Sequence, residues 1–430
     1  MSTRRTLATS ALLALVVIGL VGCSSSVSER AASSAPGVVT VEGSVIGPDA
    51  VLLQKSWAAW EKSTGITIKY QGSSDFEAGI AQEAAGGAAP DLAIFSQPGI
   101  IDDLAGLGYV QPLPAAVSKN VAKNVPAEWA KYTTRNGTNY AAPLTASVNG
   151  WVYYSPKAFY KWGISIPSTW DQLLADTKII QSKAGITPWC EGFDAGAQSG
   201  ASGASWIDDL VLREDGPTVY DDWVTHKIPF TDPRITKAFD AVGQVLLNDK
   251  YVDVSGISLA TSDDVATTLA NGSCAMAHAP SSFVSSLTNL DGTTPVVSAN
   301  GDYWAFPLPP ITSGDIALTG GGTFVSAFST SADTVKVQTY LSSEAWATER
   351  VKLGGAISPD THVAAPSNVG PLLSEATDLL HNPSVDFRFD AADLMPGVVG
   401  SGSYLTGMVN WVGGTSTAKV ESSIDASWPN

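Results

Sequence analysis

The chain has 430 residues, with 24 lysine and arginine residues against 41 acidic ones and a formal net charge of −17. This acidic balance argues against a nucleic-acid ligand, because phosphates attract clusters of lysine and arginine. The length exceeds what one hydrophobic core supports and is typical of two domains. The 13 Trp and 12 Tyr residues supply many flat, amphipathic rings.

The N-terminus has the anatomy of an export signal. Two arginines precede an apolar run, Leu7 to Leu20, which is shorter than the roughly 20 residues of a membrane-spanning helix. The run ends in "LVGC", which resembles the bacterial lipobox, where the cysteine is acylated and becomes the mature N-terminus. We predict a lipoprotein signal peptide over 1–22, Cys23 as the lipidation site and a disordered Ser/Ala-rich tether over 23–37. The alternative is an ordinary signal peptide with an incidental cysteine.

Export places the two remaining cysteines in an oxidising compartment. Cys190 and Cys274 are therefore candidates for a disulfide. Both lie in apolar segments, so two buried free thiols are the alternative. Without the two signal-peptide arginines, 22 basic and 41 acidic residues leave a formal charge of −19.

Strand and helix patterns alternate over the first folded segment. The predicted elements are a strand at Val38–Glu42, a helix from Pro48 closed by Gly65, a strand at Ile66–Tyr70, a helix from Asp75 to Ala85 and a strand at Leu92–Phe95. This alternation favours a parallel sheet with helices on its faces. Ligands of such sheets bind beyond the carboxyl ends of the strands.

A second segment begins with the apolar strand in "YAAPLTASVNGWVYYSPKAF". A helix is predicted over Ile166–Ile180, with Ser168 as its cap and Asp171 at the reciprocal capping-box position. "NGSCAMAHAPSSFVSSL" reads as a turn, a strand and a helix from Ser281. "YWAFPLPPI" reads as a strand ended by prolines, and "GDIALTGGGTFVSAF" as two strands separated by a glycine cluster.

Several segments, in this order, resemble extracellular solute-binding proteins of ABC importers, in the carbohydrate-binding group that includes the maltose-binding proteins. The matching stretches include "APDLAIFSQPGIIDDLAGLGYVQPL", "GISIPSTWDQLLADTKII", "GSCAMAHAPSSFV", "LTGGGTFVSAFS" and "DLMPGVVGSGSYLTGMV". The resemblance implies an α/β, two-lobe periplasmic-binding-protein-like fold. Each lobe would be a mainly parallel sheet flanked by helices, with a ligand cleft between the lobes.

The resemblance also implies where the chain crosses between lobes. The first lobe would hold 38–147 plus 319–356, and the second 148–318 plus 357–430. Hinge strands would lie near Ala146–Gly150 and Ile316–Gly320, and the triplet Gly320 to Gly322 is a plausible pivot. A phosphate-binding loop is the competing interpretation of the triplet, but neither Lys-Ser/Thr nor a helix follows it.

A sugar needs apolar plates for its ring faces and polar side chains for its hydroxyl groups. The resemblance places loops that supply such side chains at the cleft. The candidate ligand-binding residues are Asp75, Phe95, Gln97, Ser147, Asn149, Glu191, Asp194, Trp206, Asp209, His278, Phe283 and Tyr404. Core packing is the alternative for Phe95, Trp206 and Tyr404.

Other candidates have structural alternatives as well. Asp75 could cap a helix, Ser147 and Asn149 could bond the hinge strands, and a lone His278 is usually structural. Maltose-type relatives commonly have a tryptophan and then a charged residue where Phe95 and Gln97-Pro98 stand here. That departure argues against a maltodextrin preference.

Enzyme signatures are weak in this sequence. Glu191 with Asp194 or Asp209 could form the carboxylate pair of a glycosidase, but no surrounding catalytic pattern supports it. Ser416 to Lys419 matches S-x-x-K without a following Lys-Thr-Gly. G-x-S-x-G and H-E-x-x-H are absent from the sequence. We therefore expect no enzyme activity, no cofactor and no metal.

The expected function is a monomeric receptor, lipid-anchored at the extracytoplasmic face of a bacterial cell membrane. Lobe closure would capture a small saccharide or glycoside, with α-glucosides among the candidates, and the receptor would present it to ABC permease subunits. One alternative is a lipid-anchored carbohydrate-binding surface protein without transport. The other is an exported glycoside hydrolase.

Overall fold

The computed structural model describes residues 36–288, 290, 295–311 and 317–429. The predicted signal peptide, Cys23 and all but the end of the tether lie outside the described residues, as does Ile316. Within the described ranges, no helix has the length and apolar character needed to cross a membrane.

The strands fall into two main sheets and one short hairpin. They are β1 (Val38–Gly43), β2 (Thr67–Gly72), β3 (Leu92–Phe95), β4 (Thr134–Arg135), β5 (Thr138–Asn139), β6 (Ala141–Val148), β7 (Trp151–Tyr154), β8 (Thr187–Trp189), β9 (Cys274–Ala279), β10 (Trp304–Pro307), β11 (Ala317–Ala327) and β12 (Asp386–Phe389).

The helices surround these sheets. They are α1 (Gly47–Thr64), α2 (Phe76–Gly86), α3 (Pro98–Gly106), α4 (Ala115–Asn124), α5 (Ala127–Lys131), α6 (Pro156–Trp162), α7 (Trp170–Ile179), α8 (Ala201–Val224), α9 (Pro233–Leu246), α10 (Ser262–Ala270), α11 (Val284–Thr288), α12 (Ala332–Leu341), α13 (Glu344–Lys352), α14 (Pro371–Leu380), α15 (Ala391–Leu394), α16 (Leu405–Val412) and α17 (Thr417–Asp425).

The first lobe is built on the larger sheet, which has six strands. Its path is β12-β11-β3-β1-β2, and β6 also pairs with β11. The pairs β1–β2, β1–β3 and β11–β12 are parallel, whereas β11 runs antiparallel to β3 and β6. The sheet is therefore mainly parallel, and the loops after β1 and β3 lie at one edge, as expected for ligand-binding loops.

The second lobe is built on a four-stranded sheet in the order β10-β7-β9-β8. Only β8 and β9 are parallel, while β7 runs antiparallel to both β9 and β10. The expectation of a mainly parallel sheet is therefore wrong for this lobe. The reason is its connectivity: β7 brings the chain into the lobe from β6, and β10 carries it back toward β11, so the two strands run in opposite directions.

The glycine triplet lies inside a continuous strand, and not between two strands as the sequence pattern predicted. In β11, Gly320 pairs with Val148 and Gly322 with Ala146 of β6. A Cβ atom on Gly320 would lie 2.3 Å from the Ser147 carbonyl oxygen, and one on Gly322 would lie 2.2 Å from that of Thr145. The glycines thus permit close backbone approach between paired strands.

Local start and stop signals account for several helix ends. Gly65 ends α1 in the left-handed conformation at φ 72°, as the sequence predicted. Helix α7 is capped by Thr169, whose side chain accepts a hydrogen bond from the Gln172 amide, so the expected cap at Ser168 is one residue early. The Ser168 N–H donates to Gln172 Oε1. Gln172, and not Asp171 as predicted, therefore provides the side chain that bonds back to the start of the helix.

Cys190 and Cys274 form a disulfide, with their Cα atoms 5.4 Å apart. Cys274 begins β9 and Cys190 follows β8, so the bridge joins neighbouring strands of the second lobe. It closes a separation of 84 residues and fixes the start of the loop that carries Glu191.

The lobe boundaries remain a prediction, and the position of β12 refines it. Residues 386–389 pair with β11 in the larger sheet, whereas α15 and α16 pack against α8 of the second lobe. We therefore propose that the last crossing between lobes lies at Asp390 rather than at 357.

Candidate ligand-binding cleft

Two adjoining cavities occupy the cleft where the lobes meet. The first, named here the lobe-2 cavity, has a volume of about 280 Å³. Its lining residues are Asn149, Glu191, Gly192, Phe193, Asp194, Ala195, Gln198, Ala201, Ser202, Ser205, Ser262, Val265, His278, Ala279, Pro280, Phe283 and Asp390.

The second, the lobe-1 cavity, has a volume of about 450 Å³. Its lining residues are Ser44, Val45, Ile46, Asp49, Leu53, Ser96, Thr145, Ala146, Ser147, Asn149, Pro280, Ser282, Gly321, Gly322, Thr323, Arg350, Gly355, Ala356, Asp390 and Asp393. Asn149, Pro280 and Asp390 line both cavities, so the two adjoin at these residues. Their sizes suit a small-molecule ligand.

Asn149 and Asp390 stand where the chain crosses between the lobes. The Asn149 amide donates to Asp390 Oδ2 at 2.6 Å. The backbone N–H of Asn149 bonds to the Thr319 carbonyl, and that of Asp390 to the Gly320 carbonyl. The second oxygen of Asp390, Oδ1, is buried and has no partner among the described residues. Burial, reinforced by neighbouring Asp208 and Asp393, raises the pKa of Asp390 well above its ordinary value.

Glu191 presents a buried carboxyl group to the lobe-2 cavity. It accepts hydrogen bonds from the Trp206 indole and the Ser202 hydroxyl, each at 3.3 Å. Burial raises the pKa of Glu191 to about 8, against the lowering effect of its hydrogen bonds. Near neutral pH the group is therefore largely protonated and can donate as well as accept a hydrogen bond.

A buried charge network lies behind Glu191. His278 Nε2 is 2.8 Å from Asp209 Oδ2, and the Thr319 hydroxyl donates to Asp209 Oδ1 at 2.5 Å. Burial opposes the charge on Asp209, but the His278 hydrogen bond and the Arg213 guanidinium outweigh it and lower the pKa of Asp209. Asp209 thus occupies Nε2 of His278, a residue that also lines the lobe-2 cavity.

The network also reaches the crossing strand. Gly150 has φ 74°, and a Cβ atom there would lie 2.7 Å from an Arg213 nitrogen and from Asp209 Oδ2. Both the conformation and the space therefore require glycine at the start of β7. Asp209, on α8, and Thr319, on β11, thereby tie the second lobe to a strand of the first.

A second group of polar side chains joins the two lobes beside the cavities. The Gln97 amide of the first lobe lies 3.3 Å from Gln198 Oε1 and 3.4 Å from Asp393 Oδ1. Glu77 accepts from the backbone N–H groups of Ser96 and Gln97, which holds the loop after β3. Burial raises the pKa of Glu77 to about 7, and burial with the Glu77 charge raises that of Asp393 to about 8.

The structure brings about half of the predicted residues to the cavities. Asn149, Glu191, Asp194, His278 and Phe283 line the lobe-2 cavity, and Ser147 lines the lobe-1 cavity. Gln97 and Asp209 lie behind the walls as bonding partners of wall residues. Asp75 is exposed at the start of α2, where its side chain makes no capping bond, and it lines neither cavity.

Three predicted aromatic contacts are buried in the lobe cores. Phe95 packs on Phe76 with ring centroids 5.3 Å apart. Trp206 packs edge-on against Trp189, 5.0 Å away, and lies beside His278. The Tyr404 hydroxyl donates to Asp208 at 2.9 Å, and its ring contacts Phe230. These three rings pack behind the cleft walls. None of them lines either cavity, so the structure does not support direct contact between these rings and a ligand.

Sequence reasoning missed Asp390, Asp393, Gln198 and Ser202. Asp390 directly follows β12, so recognition of "DFRF" as a strand of the parallel set would have marked it as a strand-end acid. Gln198 and Ser202 lie in the Gly/Ser-rich stretch that had been singled out for its acids and tryptophan. Among the described residues, no group of His, Cys, Asp and Glu could hold a metal ion.

Residues 47–348 match the sequence family described as bacterial extracellular solute-binding protein. The chain belongs to this family. The matched segment spans both lobes and includes the disulfide, Glu191 and the Asp209–His278 pair.

Two curated relatives cover nearly the whole of this solute-binding protein. The osmoprotective compounds-binding protein GgtB of Synechocystis sp. is 30% identical over 396 residues, which are 91% of this chain and 92% of the relative. The alpha-glucosides-binding periplasmic protein AglE of Rhizobium meliloti is 32% identical over 408 residues, 91% of this chain and 86% of the relative.

The fold is shared with solved sugar receptors. The bacterial solute receptor AcbH, whose structure is described with a preference for β-D-galactopyranose, superposes with a TM-score of 0.76 at 18% identity over 90% of this chain and 97% of its own. Among the solved chains that match is also a maltose-bound MalE3 of T. maritima, at a TM-score of 0.68. The two-lobe α/β fold predicted from the sequence is thereby confirmed.

Proposed function

We propose that this solute-binding protein is the receptor of an ABC importer and captures a small saccharide or glycoside between its lobes. The observation that carries the proposal is the lobe-2 cavity, whose wall combines carbon-rich side chains with Glu191, His278, Asn149 and Asp390. A pyranose ring has the matching chemistry, with weakly polar C–H faces and hydroxyl groups along its edge.

The name of one relative supports α-glucosides as the ligand class. AglE is named for alpha-glucosides and GgtB for osmoprotective compounds, and each matches about nine-tenths of this chain. We extend the α-glucoside specificity to this protein as a proposal. Both relatives are named as binding proteins, so we propose binding without catalysis.

Binding should work by lobe closure. Asn149 and Asp390, at the crossings, contact the ligand whichever lobe receives it first. Glu191 and His278 then bond hydroxyl groups from the second lobe, while first-lobe side chains complete the site. A ligand that contacts both lobes binds the closed form better than the open one and shifts the population toward closure.

Isothermal titration with a panel of α-glucosides and other disaccharides tests the proposal. Asn149→Ala removes the amide bonded to Asp390 and should weaken binding at least about tenfold. Asn382→Ala, at an exposed turn, should leave affinity unchanged. No heat from any saccharide, or equal affinity of the two variants, would overturn the assignment.

A surface protein without transport is the second candidate. Ligand-induced lobe closure distinguishes the import receptor from the surface protein, because a receptor must change shape on binding its ligand for the permease to recognise the loaded form. Small-angle scattering of the receptor should show a smaller radius of gyration with saturating saccharide. An unchanged curve at proven saturation would favour the surface-protein alternative. Release of a new reducing end from the bound saccharide would instead favour the hydrolase.

We propose the lipid anchor at Cys23 on the lipobox resemblance alone, with the chain held at the extracytoplasmic membrane face. In a lipoprotein-competent host, the wild-type protein should fractionate with membranes, and Cys23→Ala should not. Mass spectrometry of the N-terminal peptide should show an acylated cysteine. An unmodified N-terminus elsewhere would contradict the lipid anchor but not the receptor function.

We expect the protein to be a monomer. Light scattering coupled to size-exclusion chromatography measures its molar mass and tests this expectation.

A further inference from the structure

Two carboxyl groups lie at the border between the lobes, beside the loop after β3. Glu77 is a buried residue of α2 in the first lobe. Asp393 belongs to α15, which packs against α8 of the second lobe and against α3 of the first. Asp393 lines the lobe-1 cavity, whereas Glu77 lines neither of the two cleft cavities. Glu77 therefore lies behind the cleft wall, where its charge acts on Asp393.

Two glutamine side chains connect these carboxyl groups across the lobe border. Gln198 ends a short turn of the second lobe, and its Nε2 lies 3.5 Å from Glu77 Oε2. The Gln97 amide of the first lobe lies 3.3 Å from Gln198 Oε1 and 3.4 Å from Asp393 Oδ1. Because Glu77 and Gln97 belong to one lobe and Gln198 to the other, these contacts require the two lobes to lie together.

This group of side chains is short of hydrogen-bond donors. The Gln97 carbonyl oxygen, Oε1, is buried and has no hydrogen-bond partner among the described residues. Ionised carboxylates only accept hydrogen bonds, so neither Glu77 nor Asp393 can donate to such an acceptor in the ionised form. A proton on one of the two carboxyl groups adds a donor to the group.

The charges around the pair do not favour two carboxylates. The titratable and charged groups on the surrounding elements are Glu83 on α2, Asp102 and Asp103 on α3 with Arg135 on β4, Asp208 on α8, Asp390 after β12, and Asp49 with Arg350 on the lobe-1 cavity wall. Each arginine of this set has an acidic neighbour of its own, Asp102 for Arg135 and Asp49 for Arg350. Neither arginine is therefore free to balance a second carboxylate charge at the pair.

Separation of the lobes would change the surroundings of Glu77. Its Oε1 would keep the backbone N–H groups of Ser96 and Gln97, because all three residues belong to the first lobe. Loss of Gln198 would admit water to Oε2, and water with two N–H donors favours the ionised carboxylate. With the lobes together, burial favours the protonated form instead and raises the pKa of Glu77 to about 7.

We propose that closing of the lobes onto Gln198 takes up one proton from solvent, which Glu77 and Asp393 share. Ligand binding drives closing, so binding and proton uptake are linked. The receptor then holds its ligand more tightly in acidic than in alkaline medium, because the closed form binds more protons than the open form. This inference rests on the proposed receptor function and adds a pH-sensitive device to the same cleft.

Calorimetry with three α-glucosides, namely trehalose, maltose and sucrose, measures the linkage. Titrations at pH 6.5 in buffers of different ionisation enthalpy count the protons exchanged on binding. The wild-type receptor should take up about one proton for each sugar bound. Its dissociation constant should rise from pH 5.5 to 7.5, by up to about tenfold per pH unit.

Variants assign the proton, because Glu191 in the lobe-2 cavity also has a raised pKa. Glu77→Gln combined with Asp393→Asn keeps side chains of the same shape and removes both titrating groups. This double variant should take up about one proton fewer than the wild type, and its affinity should depend less on pH. Glu128→Gln, in an exposed ion pair, is the matched control and should take up as many protons as the wild type.

The outcomes separate this inference from the proposed function. If none of the three sugars binds, the α-glucoside receptor is contradicted, and the proton linkage falls with it. If a sugar binds without proton uptake or with proton release, the receptor stands and the proton-coupled closing is overturned. Equal proton uptake by the double variant and the wild type would overturn it as well.

Discussion

Asp209 shows how a fully buried charge in this protein is held. Its carboxylate bonds His278 and Thr319 and compensates Arg213, whose guanidinium is also buried. Two buried Arg213 nitrogens, Nε and one terminal NH2, have no hydrogen-bond partner among the described residues, so Asp209 acts on the guanidinium through its charge. The Asp209 charge is therefore what keeps a cation stable in the interior beneath the cleft.

Asp209→Asn should consequently destabilise the protein by about 3–5 kcal/mol, since it leaves a buried cation uncompensated. Asp222→Asn is the matched control, because Asp222 pairs with Lys227 near the surface, where such pairs contribute at most about 1 kcal/mol. Urea unfolding of both variants measures the difference. Equal losses of unfolding free energy in the two variants would show that the Asp209 network contributes no more to stability than a surface ion pair.

Trp206 illustrates the limit of residue-type reasoning. The sequence placed a tryptophan near acids in a Gly/Ser-rich loop, and a role in ligand binding followed. Tertiary packing instead buries the ring fully between Trp170 and Trp189, with its indole N–H on Glu191. A single sequence does not show which face of α8 is inward, so this outcome could not be predicted.

Trp206→Ala should therefore lower the free energy of unfolding by about 3–5 kcal/mol and should not serve as a binding-only variant. Trp206→Phe keeps a ring in the core but removes the donor to Glu191, so it should retain more stability. Thermal and urea unfolding compare the two. An alanine variant as stable as wild type would mean that this ring is not part of the core.

At the scale of elements, the sequence predicted the first-lobe strands and helices well because their signals are local. β1, α1 and β3 follow apolar periodicity and glycine or proline boundaries within a few residues. β11 was misjudged, since three glycines in a row indicate a break unless the close partner strand is known. The antiparallel pairs of the second sheet depend on where the chain crosses between lobes, which no local pattern contains.

The disulfide is the element-scale feature that sequence reasoning identified as a candidate. It connects the end of β8 to the start of β9, and Glu191 directly follows one of its cysteines. Replacing both cysteines by serine should lower stability by about 2–5 kcal/mol. Urea unfolding of the variant, and of wild type with and without reductant, measures this. If neither the cysteine replacements nor the reductant changes the free energy of unfolding, the disulfide does not contribute to stability.

At the scale of the whole molecule, several buried acids make stability depend on pH. Burial raises the pKa of Glu77 to about 7 and those of Glu191 and Asp393 to about 8. In the unfolded chain these groups release their protons near pH 4 to 4.5. Between about pH 5 and 8 the folded state therefore binds more protons, and stability falls as pH rises. The pKa of Asp209 is lowered, so this group has the opposite effect on stability. Its contribution is lost as the pH falls below about 4.

The free energy of unfolding should thus be higher at pH 5.5 than at pH 8, by up to about 1.4 kcal/mol per pH unit for each group that stays protonated. Glu191→Gln removes one of these groups, so it should reduce the loss of stability by up to about 1.4 kcal/mol per pH unit. Glu128→Gln, in an exposed ion pair, should leave the slope unchanged. A wild-type stability that rises from pH 5.5 to 8 would contradict the burial of these acids.

The family resemblance implied the two-lobe fold and its cleft, and about half of the candidates chosen from the loops that it placed at the cleft line the cavities. Sequence reasoning could not find the meeting of Asn149 with Asp390 or of Gln97 with Gln198, since each pair joins residues more than one hundred positions apart.

Hydrogen–deuterium exchange with and without a saturating saccharide tests most directly that one ligand is held between the lobes. The account predicts slower exchange in residues 191–202 of the second lobe and also in residues 145–149 at the end of β6 in the first. Protection confined to one lobe, or no protection at proven saturation, would contradict it.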